Sequence, residues 1–378
     1  MIGAGFQGPA RTLGSFVDGR DNNFNLIRFL AASAVLVSHS FALSTGTSAS
    51  EPWGRMLGIT PGSMAVEIFF LTSGFLVTAS LVRRKDVRSF ALARALRIYP
   101  GLIVAVSLTV LAVGFQFTSL PPSDFFTSAQ TWIYWARTST LVTNVAHLLP
   151  GAFEANPWRF AVNSSLWTLP YEVTMYVVLA LVWMAGSALR KTAGGLFERA
   201  VVTIAALTML AQLLLIGIVT SSALRLSAMF FVGSALYVLR NRVPLSGRIC
   251  AMVVSAVLAS AFDKRVFAYC YPLALPYLVF FLAYVPGGLV RSFNRIGDYS
   301  YGIYIYAWPV QQMTAALVPG VKPLEMFLLS FLGTCALAVV SWHLIEKPSL
   351  AMKSDVAPVA STGPSSFRVE PNTDNLWS

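Results

Sequence analysis

The sequence predicts an all-α integral membrane protein with about ten transmembrane helices and both termini cytoplasmic. Composition is the first reason: 56% of the residues are hydrophobic, 11% are charged and the mean hydropathy is +0.66. Soluble domains carry roughly 25% charged residues. The second reason is that mostly apolar runs of around 20 residues, each able to cross a ~30 Å hydrocarbon core, recur along the whole chain. The third is that these runs lack the period-2 alternation of barrel strands. Backbone groups in lipid need internal partners, so the spans are helices.

In chain order the candidate spans are 24–44, 62–82, 97–117, 165–186, 200–220, 222–239, 248–262, 267–285, 296–317 and 324–345, the seventh being the shortest. With the N-terminus inside, 20 of the 27 basic residues fall on the cytoplasmic side and 7 on the other. The positive-inside rule requires such a split, and it implies an even number of spans. The net charge of +11 is therefore a topology signal plus attraction to anionic headgroups. Its dispersal over short loops, with no groove-sized patch, argues against a nucleic-acid partner.

Residues 1–21 and 351–378 are rich in Gly, Ser, Pro and charge, and read as flexible cytoplasmic tails around a single transmembrane domain, 22–350. The first twenty residues lack the basic start and apolar core of a cleavable signal. The connection from about 118 to 164 contains the aromatic, semi-polar stretch TWIYWARTSTLVTNVAHLL, expected along the outer interface. Cys250, Cys270 and Cys335 fall in apolar spans and read as packing residues, not as a disulfide framework or a metal site. His147 and His343 lie at interfacial positions and read as structural.

Intramembrane charge carries the functional information. Arg28 and His39 share the otherwise apolar stretch RFLAASAVLVSH. Their spacing returns them to within roughly 20° of one helix face, ~16 Å apart along the axis. Of the sixteen Asp and Glu, only Glu67 and Glu172 fall well inside spans. Counted from the predicted span ends, His39, Glu67 and Glu172 lie within roughly 3 Å of one depth in the outer half of the bilayer. A buried ionisable group is costly in lipid, so three at one level predict a shared cavity. An imidazole oriented by a carboxylate makes a general base. On the cytoplasmic side, RRKDVRSFALARALRIYP follows the second span. Arg83, Arg84, Lys85 and Arg88 read as topological anchors. Arg94 and Arg97 share a helix face at i, i+3, and guanidinium forks suit phosphate oxygens. With Arg28 they predict an anion-binding mouth. A ligand with phosphates at one end and a reactive group roughly 15 Å away fits this layout, and acyl-coenzyme A is such a ligand.

The chain resembles the membrane-bound acyltransferase 3 family of bacterial O-acyltransferases over nearly its whole length. NNFNLIRFLAASAVLVSH carries that family's Arg-x10-His motif as Arg28 and His39, and AVEIFFLTSGFLVTASL its acidic-FF-x-x-SGF segment. ARALRIYP carries Arg-x-x-Arg as Arg94 and Arg97. SLWTLPYEVTMY, GDYSYGIYIYAWPV and HLIEKP follow in order, with Trp167, Glu172, Ser300, Tyr301, Glu346 and Pro348. Ala307 stands where many members have His, and the acidic position at Glu67 is more often Asp. The resemblance implies transfer of an acyl group, commonly acetyl, from cytoplasmic acyl-CoA to a hydroxyl of a cell-surface or lipid-linked carbohydrate. The acceptor would be an exopolysaccharide, an O-antigen or a similar glycan. It implies a multi-pass protein of the bacterial inner (plasma) membrane, of the stand-alone type without an SGNH esterase-like domain.

The expected site is then His39 as base, Glu67 or Glu172 orienting it, and Arg28, Arg94 and Arg97 on the coenzyme phosphates, with no metal. A transporter or flippase for a glycan or an anionic lipid-linked substrate is the competing class, since it too keeps charge in the membrane; visible repeats, which would favour it, are lacking. A receptor without chemistry leaves the common depth unexplained.

Overall fold

The structure is a computed structural model that describes residues 11–17, 21–189 and 194–352. The remaining residues, which include most of both expected tails, lie outside the described set.

The chain is a helical bundle. Its principal helices are α1 (Phe24–Thr45), α2 (Pro61–Arg84), α3 (Val87–Leu108), α4 (Ala129–Thr140), α5 (Leu169–Ala188), α6 (Leu196–Leu214), α7 (Ser222–Val238), α8 (Gly247–Ser260), α9 (Lys264–Tyr284), α10 (Ser300–Leu317) and α11 (Pro323–Ser341). Among the described residues, seven helical segments are long and apolar enough to cross a membrane, namely α1, α2, α3, α5, α6, α9 and α11, some with short continuations. α7, α8 and α10 occupy the three other predicted spans. Outward-facing leucines such as Leu181, Leu210, Leu282 and Leu332 are more than half exposed, as a lipid-facing surface requires.

Polar residues set the helix ends. Thr60 caps α2 by accepting from Ser63 N, with Pro61 in the first turn. Asp86 accepts from Arg88 N and Ser89 N to start α3, and Asp263 accepts from Arg265 N and Val266 N to start α9. These side chains satisfy amide donors that have no partner within the helix. Gly46 ends α1 in the left-handed conformation at φ 76°.

α2 is the centre of the bundle, with 67% of its most apolar window buried. Its contact with α7 brings backbone against backbone. A Cβ on Gly74 would stand 1.9 Å from the Phe230 carbonyl oxygen, and one on Gly233 would stand 2.0 Å from that of Leu71. Ser234 Oγ adds a hydrogen bond to the Gly74 carbonyl at 3.2 Å. Small residues at such crossings allow the close packing that holds helices together in lipid.

Four features depart from the sequence reading. α3 starts at Val87, ten residues before the predicted span, and runs on as a π-turn to Gly114; Arg94 and Arg97 share it, as their spacing predicts. The last span continues past α11 through a second π-turn, Trp342–Glu346, to Ala351. Glu346 therefore lies inside it. Residues 11–17 are packed instead of loose: Arg11–Thr12 pairs with Pro244–Leu245, and Leu13 and Val17 are buried.

The fourth departure concerns the long connection. α4 lies along α3, with Trp135 Nε1 donating to Ser107 Oγ at 3.0 Å and Tyr99 Oη donating to the Thr140 carbonyl at 3.1 Å. Thr131, Tyr134 and Thr138 form its buried face, while Trp132 and Ile133 are exposed. α4 thus descends beside the bundle instead of lying across its end. Residues 156–164 then run down α10 without forming a helix, and a 3-10 turn, Ser165–Thr168, leads into α5. Asn156 Nδ2 donates to the Gln312 carbonyl and Gln312 Nε2 to the Ala161 carbonyl. Trp308 Nε1 also donates to Ala161 O, Asn163 Nδ2 to Ile305 O, and Tyr304 Oη to Ser165 O. Irregular backbone at this depth is tolerated because side chains of α10 satisfy it.

Candidate active site

Arg28, Arg94 and Arg97, brought from α1 and α3, line one cavity of about 300 Å³. At its base Asp298, in the loop before α10, pairs with Arg28 Nη1 at 2.7 Å and Arg97 Nη2 at 2.5 Å. Ser300 Oγ donates to the other Asp298 oxygen. Arg97 also faces Glu346 at 3.6 Å, and Ser341 Oγ donates to that carboxylate at 3.0 Å. The Arg97 guanidinium lies over the Tyr301 ring at 5.6 Å, and that of Arg94 over Tyr176 at 5.9 Å. Burial alone would raise the Asp298 carboxyl, yet Arg28 and Arg97 hold it down at about 2. Arg94 Nε is buried without a hydrogen-bond partner among the described residues, so a donor remains free beside the cavity. The upper wall is less polar, with Val66, Phe69, Thr168 and Tyr304.

Glu172 belongs to this arginine cluster. Tyr176 Oη and Ser73 Oγ donate to its carboxylate, the latter at 3.2 Å. The expected common depth with His39 is corrected here. The count assumed that the fourth span begins at the membrane surface. The descent of residues 156–168 brings Thr168 against Tyr304 (2.5 Å), only four residues into α10. Glu172, one turn further, therefore lies near the arginine end.

Glu67 is also separated from His39. The amide of Gly62 donates to Ser38 Oγ at 2.7 Å, so α2 begins level with Ser38 and not with the end of α1. Glu67 lies five residues beyond Gly62, about 8 Å deeper at the helical rise. It faces away from α10: Arg225 of α7 pairs with it at 3.4 Å, and it lines a second cavity of about 340 Å³ with Arg225 and Tyr271.

His39 faces α10. Its ring packs edge-to-face with that of Trp308, centroids 4.7 Å apart, and its Nδ1 is buried without a hydrogen-bond partner among the described residues. Trp308 is one turn above Tyr304, which lines the arginine cavity. His39 thus stands about one helical turn, ~6 Å, beyond the upper end of that cavity. The structure therefore assembles the arginine trio with Glu172, places His39 next in line, and sets Glu67 apart.

Asp298 and Glu346 are the residues that sequence reasoning assigned no role. Asp298 sits in the motif GDYSYG, two residues before Ser300, among the acids that fall at span ends. Glu346 falls one residue past the predicted span. His343 Nε2 meets Tyr299 Oη at 3.3 Å on the exposed side, in keeping with a structural role. The three cysteines are unpaired. Among the described residues no three His, Cys, Asp or Glu side chains gather as a metal site.

Fold and site define a multi-pass helical membrane protein with a polar, arginine-lined cavity inside its bundle. The acyltransferase domain family matches residues 21–343. The chain is 31% identical to an O-acetyl transferase of Shigella phage Sf6, covering 89% of this chain and 98% of that protein. It is 29% identical to Nodulation protein 10 of Rhizobium leguminosarum bv. viciae, covering 89% and 95% respectively. No solved structure matches. The chain belongs to the acyltransferase 3 family, and it is a membrane O-acyltransferase. This membership replaces the transporter reading.

Proposed function

We propose that the protein transfers an acyl group, acetyl in the simplest case, from cytoplasmic acyl-CoA to a hydroxyl of a cell-surface or lipid-linked carbohydrate. It would do so in the bacterial inner membrane, with both termini cytoplasmic. The observation that carries this reading is the cavity itself: guanidinium groups at its base, a less polar upper wall, and His39 one turn beyond. Charge-assisted contacts from Arg28, Arg94 and Arg97 suit the coenzyme's phosphates. The pantetheine arm would lie along the less polar wall, carrying the thioester towards α10.

In this scheme His39 accepts the proton of the acceptor hydroxyl as its oxygen attacks the thioester carbonyl carbon. The C–S bond then breaks, and the thiolate takes the proton from the imidazolium. The products are the sugar ester and free coenzyme thiol. Trp308 holds the ring edge-on, and Glu172 keeps Tyr176 and Ser73 in place beside Arg94.

The test is transfer of labelled acetyl from acetyl-CoA to the host glycan by purified protein, in wild type and His39→Ala. The expected result is transfer by wild type and its loss, by about 100-fold or more, in the variant. Full transfer by a normally folded His39→Ala protein overturns the assignment.

A further inference from the structure

The cavity around Glu67 lies at the end of the bundle opposite to the arginine cluster, beneath the α6–α7 connection and beside the start of α9. We infer that it is a binding site for a neutral polyhydroxylated ligand, a saccharide unit of the acceptor remote from the hydroxyl that is acylated. This inference rests on the acyl-transfer reading above.

Three observations support it. The cavity, about 340 Å³, is outside the arginine site and shares no residue with it. Its polar lining is mixed: Glu67 and the Gln212 carbonyl accept, while Arg225, Lys264 and Tyr271 donate. Hydroxyl groups, each both donor and acceptor, are matched by such a set, and the stacked rings of Phe267 and Tyr271, centroids 5.5 Å apart, add an aromatic portion to the wall for sugar C–H groups.

The third observation is unspent hydrogen-bonding capacity. Gln212 Oε1 is buried and makes no hydrogen bond among the described residues, while Glu67 and Tyr271 face each other across the cavity with hydrogen-bonding capacity beyond that one contact. Buried polar atoms without partners are rare and costly, and a ligand that meets them recovers that cost. An anion is the poorer fit, because Glu67 neutralises Arg225 at 3.4 Å and repels a second negative charge, and the remaining cation, Lys264, is exposed to solvent at the start of α9, where its charge is screened. Binding energy from a remote part of a substrate is a recognised way to position the reacting part.

The experiment compares wild type with Tyr271→Phe and Gln212→Leu. Both remove one polar atom from the lining and leave the Glu67–Arg225 pair intact. Apparent KM is measured separately for acyl-CoA and for the de-acylated host glycan. The expected result is a rise of about tenfold in the glycan KM, with the acyl-CoA KM within about twofold of wild type. Unchanged glycan KM in both variants means that the cavity holds only water, and overturns the proposal. A parallel rise in both KM values assigns the residues to packing, and does the same.

A second readout needs no acyl transfer: the melting temperature of purified protein with the de-acylated glycan or with inorganic phosphate. Glycan should raise it in wild type and not in the variants. Stabilisation by phosphate that the same variants abolish would make this an anion site. If no donor supports transfer yet the glycan shift is present and variant-sensitive, the acyl-CoA reading fails and the saccharide site stands.

Discussion

Asp298→Asn is the most informative single change, because one carboxylate ties two helices together at the base of the cavity. It pairs with Arg28 of α1 at 2.7 Å and Arg97 of α3 at 2.5 Å. Its carboxyl is held at about 2 against an ordinary 3.8, which corresponds to roughly 2 kcal/mol favouring the folded state. A carboxyl lowered on folding stabilises above its unfolded pKa and loses that contribution as pH falls through the folded value. The asparagine variant should therefore melt lower by about 4 °C in detergent at pH 7. That gap should persist down to about pH 4 and narrow between there and about pH 2. Without the carboxylate the two guanidinium groups repel each other and separate. The apparent KM for acyl-CoA should consequently rise about fivefold, roughly 1 kcal/mol, with Asp298→Glu recovering part of the loss. Unchanged melting would refute the clamp. A fall in KM would show that Asp298 competes with the donor instead of setting the arginines.

Further outcomes follow from the same geometry. Arg94→Ala with Arg97→Ala should raise the KM for acyl-CoA by tenfold or more, measured by initial rates, at about 1.5–3 kcal/mol per charged hydrogen bond lost. Trp308→Ala should cost activity more than stability, because it frees the His39 ring; kcat and melting curves separate the two effects. Gly74→Val should abolish monodisperse protein in size-exclusion chromatography, since even a Cβ would lie 1.9 Å from a carbonyl oxygen. Glu67→Gln should leave the pH profile of transfer unchanged, because Glu67 pairs with Arg225 and not with His39.

The helices were legible because lipid imposes a simple code of length and apolarity. Even α8, the shortest of the predicted spans, forms as Gly247–Ser260. The arginine trio was legible because the spacings of Arg28, Arg94 and Arg97 each fix a helix face. Depth was not. Counting from span ends assumes that all helices start in one plane, whereas α2 starts level with Ser38 and α5 starts against Tyr304. Those offsets come from tertiary hydrogen bonds between residues far apart in the chain, such as Thr168 and Tyr304 or Asn163 and Ile305. Partner choice was hidden for the same reason. Nothing near Glu67 announces Arg225, and nothing near Arg97 announces Asp298.

The irregular stretch 156–164 beside α10 has a consequence for how the bundle keeps its interior sealed. Peptide groups that a helix would satisfy within its own turns are answered here by Trp308 and Gln312. The seal at this point is therefore a property of two chain segments together, and loosening α10 would open it. The α2–α7 pair, meshed backbone against backbone, has no such dependence.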